Sequence, residues 1–183
     1  MFILIVGSAL WWAAHLFKRI APERRARMGD SARGLFAGAL IVSVVLMVIG
    51  YRMTDGPYWW GATPALKGIN NLLILLAFYL FAADGMKTRI THSLRHPQLT
   101  GFALWAFAHL LVNGDLPSFV LFGGLLVWAL VEMIAINRAE PRWIPPTKPL
   151  AAKREVMAVA GAIIVMGVVG LIHALLGYNP FGA

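Results

Sequence analysis

The chain has 183 residues, of which 60% are hydrophobic and only 13% are charged, and its mean hydropathy is +0.73. This leaves too little polar surface to cover a water-soluble globule, so the composition indicates an integral membrane protein. The absence of cysteine excludes disulfides, thiolate nucleophiles and cysteine metal ligands.

Six apolar segments follow one another along the chain, and most are close to the length that an α-helix needs to cross a hydrocarbon core of about 30 Å. The sequence predicts an all-α, polytopic bundle of about six spans in a single membrane domain, residues 1–183. The fourth span is short. The predicted spans are residues 1–17, 34–51, 69–86, 100–113, 116–136 and 155–177.

Basic residues are distributed unevenly among the predicted loops. Fourteen of the 16 Lys and Arg residues lie in the first, third and fifth loops, and only Arg52 and Lys67 lie in the second. Short loops rich in Lys and Arg stay on the cytoplasmic side of a membrane. The pattern predicts that loops one, three and five are cytoplasmic, with both termini on the outer side. The net charge of +8 then indicates contact with anionic lipid rather than nucleic acid.

Two histidines lie in segments that carry no charged side chain. His15 follows residues 1–14, and His109 lies within residues 101–112. An imidazole in lipid is costly unless it is coordinated or hydrogen-bonded, so each marks a candidate site. With a rise of about 1.5 Å per residue, the two lie within roughly 9 Å of each other in depth, whereas His173 lies about 13 Å further out than His109. Depth favours His15 and His109 as an axial pair.

The residues near these histidines are aromatic or small. Trp12 precedes His15 by three positions and Trp105 precedes His109 by four, so each tryptophan shares a helical face with its histidine. Alanines on the same helices would leave room for a flat aromatic cofactor. The alternative is that each histidine only bonds a carbonyl, and that the tryptophans pack the core or anchor the helices at the interface.

Two carboxylates offer a competing chemistry. Asp84 and Glu132 fall near the cytoplasmic ends of their spans, where each is expected to pair with a nearby arginine. The candidates for these ion pairs are Arg89, Arg95 and Arg138.

A motif in the third loop and fourth span resembles a known family. Residues 95–98 read Arg-His-Pro-Gln, residues 101–109 read Gly-Phe-Ala-Leu-Trp-Ala-Phe-Ala-His, and residues 113–115 read Asn-Gly-Asp. This stretch resembles the NnrU family, which is associated with bacterial nitrite and nitric oxide reduction. It is also similar to zeta-carotene isomerase of plants and cyanobacteria. The resemblance extends to His15 and to Leu-Phe-Ala-Gly at residues 35–38.

The resemblance implies haem b inside the bundle of a bacterial inner-membrane protein, with His15 and His109 at the positions that ligate iron in the isomerase family. It implies a role in nitrite and nitric oxide metabolism beside a respiratory or denitrification complex, or the cis-trans isomerisation of a lipophilic polyene. The chain departs from the isomerase at Ala106, where the isomerase carries a cysteine proposed to exchange as a ligand. This difference argues against redox-switched ligation here.

The Arg-His-Pro motif also resembles the membrane methyltransferases of the isoprenylcysteine carboxyl methyltransferase type, which bind S-adenosylmethionine. That resemblance implies that Arg95, His96 and Glu140 contact the methyl donor. In the haem interpretation, Arg95 and His96 instead hold a haem propionate through charge-assisted hydrogen bonds. A third, noncatalytic interpretation is an assembly factor for a nitric oxide reductase.

Overall fold

A computed structural model describes residues 1–146 and 151–182. Lys148, one of the cations assigned to the fifth loop, and Ala183 lie outside the described residues. The described helices are α1 (Phe2–Ile20), α2 (Pro22–Arg27), α3 (Ser31–Arg52), α4 (Pro64–Met86), α5 (Pro97–Val112), α6 (Leu116–Ser118), α7 (Gly124–Ala139) and α8 (Ala152–Leu175). A 3-10 turn covers Arg89–His92, a π-helical turn Phe119–Gly123, and two short strands are β1 (Tyr58–Gly61) and β2 (Asn113–Asp115).

The long helices are those of a multi-pass membrane protein. A sixth apolar helix, Pro97–Val112, has 16 residues and is about 24 Å long at 1.5 Å per residue. Large apolar side chains such as Ile41 and Leu72 are exposed, as expected for helix faces that contact lipid. Within the described residues, five segments are long and apolar enough to cross a membrane, namely Phe2–Ile20, Ser31–Arg52, Pro64–Met86, Leu116–Ala139 and Ala152–Leu175.

Two of these helices extend beyond the predicted spans at a charged end. The first continues through Lys18 and Arg19 to Ile20, and α7 continues through Arg138. The first charged side chain ends an apolar segment in the sequence, but the backbone hydrogen bonds of the helix continue past it. Long cationic side chains can reach the headgroups from inside a helix, so hydropathy alone ends these helices too early.

The described residues form two compact units. One consists of Met1–Trp59 and Gly114–Pro141, and the other of Trp60–Asn113 and Arg142–Ala183. The first unit contains α1, α2, α3, α6 and α7, and the second contains α4, α5 and α8.

In the first unit, glycines set the close approach of α1 and α3. A Cβ at Gly7 would lie 2.8 Å from the backbone nitrogen of Met47, and a Cβ at Gly50 would overlap the backbone of Leu4. Leu4 is completely buried. Small residues let membrane helices approach closely, which substitutes for the weak hydrophobic drive between helices in lipid.

In the second unit, α4 packs against both α5 and α8. The close approach of α5 to α4 occurs at Gly101, where a Cβ would lie 2.8 Å from the carbonyl oxygen of Ala77. The start of α4 is fixed by Thr63, whose Oγ1 accepts a hydrogen bond of 3.2 Å from Leu66 N, followed by proline at the first helical position. This cap places the start of α4 earlier than the predicted residue 69.

A small sheet corrects the prediction of an all-α fold. Strands β1 and β2 pair with each other. The indole Nε1 of Trp60 donates to the carbonyl of Leu110 at 3.2 Å. Strands this short carry too little alternation of polar and apolar residues to be predicted from sequence. The fold is otherwise helical, as expected.

Candidate functional site

The imidazole of His15 is half-buried on α1 and is held by its own helix. Its Nδ1 lies 3.0 Å from the carbonyl oxygen of Trp11, one turn earlier. A carbonyl oxygen only accepts, so this bond assigns the proton to Nδ1 and the lone pair to Nε2. Metal-ligating histidines have this arrangement, with one ring nitrogen on the metal and the other donating to a carbonyl or carboxylate. The helix therefore presents His15 in the tautomer that a metal ligand needs.

Two tryptophans enclose the His15 ring. The ring centroids lie 4.3 Å from Trp11 and 4.6 Å from Trp128, and the two indoles lie 5.3 Å from each other. Trp12, which the sequence places near the cofactor, lines an apolar groove of about 530 Å³ along α1 and beside Val120. Trp128 lies on α7 and was not identified from the sequence.

A largely buried ion pair lies one helical turn from His15. Arg19 follows His15 by four positions, and its Nε lies 3.4 Å from Oε1 of Glu132, while its Nη1 lies 3.4 Å from Oε1 of Glu140. Glu132 is only 8% exposed, and its Oε2 has no hydrogen-bond partner among the described residues. Glu132 follows Trp128, which contacts the His15 ring, by one turn of α7. The His15 environment thus combines aromatic walls with a charged group.

Both span-end carboxylates form ion pairs, as predicted, but the partners seen are not the arginines suggested by the sequence. Glu132 bonds Arg19, and Asp84 bonds Lys87 at 3.5 Å. Sequence analysis selected arginines in the third and fifth loops, whereas Arg19 is separated from Glu132 by 113 positions. The four-residue spacing from Trp128 to Glu132 indicates one shared face of α7, but it does not indicate the partner of that face.

His109 has the same local geometry on α5. Its Nδ1 lies 2.9 Å from the carbonyl oxygen of Trp105, and the two ring centroids are 4.8 Å apart. The Trp105 ring also contacts Phe102, at 5.2 Å. Asn113 donates through Nδ2 to the carbonyl oxygen of His109 at 2.9 Å, near the end of the helix. As at His15, this bond assigns the proton to Nδ1 and leaves the lone pair on Nε2.

A cavity of about 80 Å³ in the second unit brings His109 and His173 together. The sequence predicts instead that these two histidines lie about 13 Å apart in depth. His173 also donates through Nδ1, to the carbonyl of Val169 at 2.8 Å. The local hydrogen bond therefore does not distinguish the three histidines. Burial does, because His15 and His109 are half-buried and His173 is exposed.

Arg95 and His96 lie in the turn before α5, in the same unit as His109. His96 is the N-cap residue, and its carbonyl accepts from Thr100 N at 2.9 Å. Both side chains are half-buried. Arg95 begins about 20 Å from His109 along the helix axis, at 1.5 Å per residue. A contact from Arg95 to a propionate of a haem bound at His109 would need its full side-chain length.

The two imidazoles can be compared with the ligands that a haem takes from a protein. Within residues 1–146 and 151–182, no group of three or more His, Cys, Asp or Glu side chains is placed to hold a metal ion. Haem brings its own equatorial ligands and takes only one or two axial ligands from the protein. Neutral imidazoles with Nδ1 bonded to a carbonyl are suitable axial ligands. The two imidazoles thus suit the axial positions of this group.

Comparison with protein families identifies the chain. The family model described as NnrU protein matches residues 3–180. The chain belongs to the NnrU family. This match covers nearly all of the sequence and confirms the resemblance found in the Arg-His-Pro motif. No match was found among curated proteins or among solved structures.

Proposed function

We propose that this NnrU family member binds haem b inside its helix bundle, with His15 and His109 as axial ligands. The observation that carries the proposal is that these two half-buried imidazoles, unlike the exposed His173, combine burial with an Nδ1 bond to the carbonyl one turn earlier, at 3.0 and 2.9 Å. This bond leaves the lone pair on Nε2 and restrains the ring, as in other metal-ligating histidines. A bound haem would supply a one-electron redox centre.

The chain's own residues have distinct tasks in this proposal. Trp11 and Trp128 restrict the orientation of the His15 ring, because both indoles contact it. Trp12 and Trp105 supply aromatic surface for the macrocycle. Arg95 and His96 bind a propionate from the start of α5, where a guanidinium can form charge-assisted hydrogen bonds to a carboxylate.

Electron transfer or sensing suits this chain better than ligand exchange. Ala106, which stands at the position of the exchanging cysteine in the isomerase, is completely buried on α5 and offers no ligand atom. We infer a role in nitrite or nitric oxide metabolism beside a respiratory or denitrification complex. Isomerisation of a lipophilic polyene is the second role, and the apolar groove of about 530 Å³ on α1 is the feature that favours it.

The distribution of basic residues supports a bacterial inner-membrane orientation with loops one, three and five in the cytoplasm. A reporter fused after Ala183, which lies outside the described residues, should be active only in the outer compartment. Activity in the cytoplasm would contradict the six-span arrangement.

The deciding experiment is a visible spectrum of the purified protein, oxidised and reduced, with pyridine haemochrome quantitation. We expect a Soret band, low-spin bands and one haem b per chain. A protein purified from haem-replete cells without a Soret band would overturn the proposal. It would favour a methyltransferase, tested by binding of S-adenosylmethionine, or a noncatalytic assembly factor.

A further inference from the structure

The chain reverses direction after α8. Gly177 has a φ of +90°, a left-handed conformation that favours glycine. Tyr178 N then donates to the carbonyl of His173 at 2.8 Å. Residues 178–182, here called the C-terminal strap, therefore return along the second unit instead of continuing the helix.

Two hydrogen bonds attach the C-terminal strap to α4. Asn71 donates through Nδ2 to the carbonyl of Pro180 at 3.0 Å, and Lys67 donates through Nζ to the carbonyl of Gly182 at 2.8 Å. Both acceptors are backbone carbonyls of the strap. Among the described residues, these two side chains hold the strap to α4 by hydrogen bonds. A short segment held by a few side-chain hydrogen bonds can open locally without unfolding its unit.

An aromatic side chain of the strap lies over a glycine of α8. The Phe181 ring occupies the place where a Cβ of Gly170 would be. The backbone nitrogens of Phe181 and Gly182 both donate to Oδ1 of Asn179, each at 3.0 Å. These bonds hold the strap backbone on either side of Phe181. The absence of a side chain at position 170 is what allows the ring to lie against α8.

Phe181 forms one wall of the cavity that His109 and His173 line. Asn70 lines the same cavity, and its Oδ1 is buried without a hydrogen-bond partner among the described residues. A buried acceptor of this kind is satisfied by a small donor such as water. The volume of about 80 Å³ limits any occupant to a few heavy atoms, since one water takes about 30 Å³ in the liquid.

We propose that the C-terminal strap is a movable cover that controls the access of small polar molecules to the cavity beside the His109 ring. The strap supplies one wall of the cavity, and hydrogen bonds from two α4 side chains hold it. The Phe181 ring can lie against α8 because residue 170 is a glycine. This inference rests on the proposed function for its biological meaning, because His109 is there an axial ligand. The cover itself is a property of the second unit and can be tested without haem.

The natural chain has no cysteine, so a single introduced cysteine reports how readily a thiol reagent reaches that one position. Met166 lines the cavity, and M166C is the reporter. Met47 is buried in the first unit, and M47C is the matched control, because its thiol reacts only when the fold opens. Each is combined with Lys67→Met, which removes one attachment of the strap. The measurement, made in nanodiscs, is the rate at which a small, charged methanethiosulfonate reagent converts the thiol to a mixed disulfide with release of methanesulfinate.

We expect Lys67→Met to raise the rate of mixed-disulfide formation at M166C by about tenfold and to leave the rate at M47C unchanged, because one hydrogen bond that opposes local opening is lost. An unchanged rate at M166C, or an equal increase at both thiols, would overturn the proposal. If Lys67→Met fails to fold, Gly170→Ala provides the same test, because its Cβ displaces the Phe181 ring. A missing Soret band would contradict the proposed function and leave this rate comparison valid.

Discussion

His15 and His109 are each bonded through Nδ1 to the carbonyl four positions earlier, and each ring contacts the tryptophan at that position. Their wider surroundings differ. His15 also contacts Trp128 and lies near the ion pair of Arg19 and Glu132. The residues that line the cavity at His109 include no Lys, Arg, Asp or Glu. Two histidines with the same local geometry thus differ in the side chains that surround them.

The helix that carries each histidine supplies its hydrogen-bond partner, whereas packing against other helices supplies the rest of its surroundings. An α-helix places the carbonyl of residue i−4 beside the side chain of residue i, so the tautomer is a local property. The groups around the ring come from other helices and set how rigid and how accessible each histidine is. We therefore expect both histidines to be needed for the cofactor, and the two environments to respond differently to substitution.

The largest effect is expected from the histidines themselves. His15→Ala and His109→Ala should each convert a six-coordinate, low-spin spectrum to a five-coordinate one or abolish haem binding, because each removes an iron ligand. His173→Ala is the control, since it removes an exposed imidazole with the same backbone bond. Unaltered low-spin spectra in both of the first two variants would contradict the assignment of ligands.

Substitutions near His15 should lower the stability of the protein more than a substitution near His109. Arg19→Met leaves Glu132 buried without its partner and should destabilise the protein by about 3–5 kcal/mol. Changing both residues, Arg19→Met with Glu132→Met, should recover most of that loss, because no buried charge remains. Asn113→Ala removes a neutral hydrogen bond to the His109 carbonyl and should cost about 1 kcal/mol. Chemical unfolding in detergent measures all three, and a double variant no more stable than Arg19→Met would contradict this account.

Helix contacts in the two units can be compared at glycine. Gly50→Ala places a Cβ against the backbone of Leu4, which cannot rotate away, and should destabilise by about 1–3 kcal/mol. Gly101→Ala places a Cβ 2.8 Å from the Ala77 carbonyl oxygen and 3.1 Å from Leu80 Cβ, which is a milder overlap than the one at Leu4 and should cost less. Gly38 has no atoms within 4 Å of its Cβ position, so Gly38→Ala should raise the stability by up to about 1 kcal/mol through helix propensity. Thermal unfolding midpoints check this order.

The smallest effect is expected at the start of α5, far from His109. Arg95→Ala should speed the loss of haem to an excess of an apo-haem protein without removing the Soret band, because one propionate contact is lost and both ligands remain. Arg33→Ala, on an exposed ion pair with Asp30, is the control. Unchanged haem retention together with loss of S-adenosylmethionine binding would favour the methyltransferase.

The sequence by itself determined the features that depend on near neighbours. The apolar runs indicated where the membrane helices lie, because helix length and side-chain polarity are local properties. The Arg-His-Pro motif identified the family. His15 and His109 stood out because a histidine in an uncharged helix needs a partner, and the structure supplies one partner for each within a single turn.

Tertiary structure decided the features that join distant positions. Trp128 and Glu132 reach α1 across more than a hundred residues, and His173 shares a cavity with His109 although the two are far apart in the chain. The contact of Phe181 with Gly170 depends on a turn after α8. Helical periodicity shows which residues share one face of a helix. Tertiary packing then selects the helix that this face contacts, for example where a glycine leaves room for a ring or where a buried charge needs a partner.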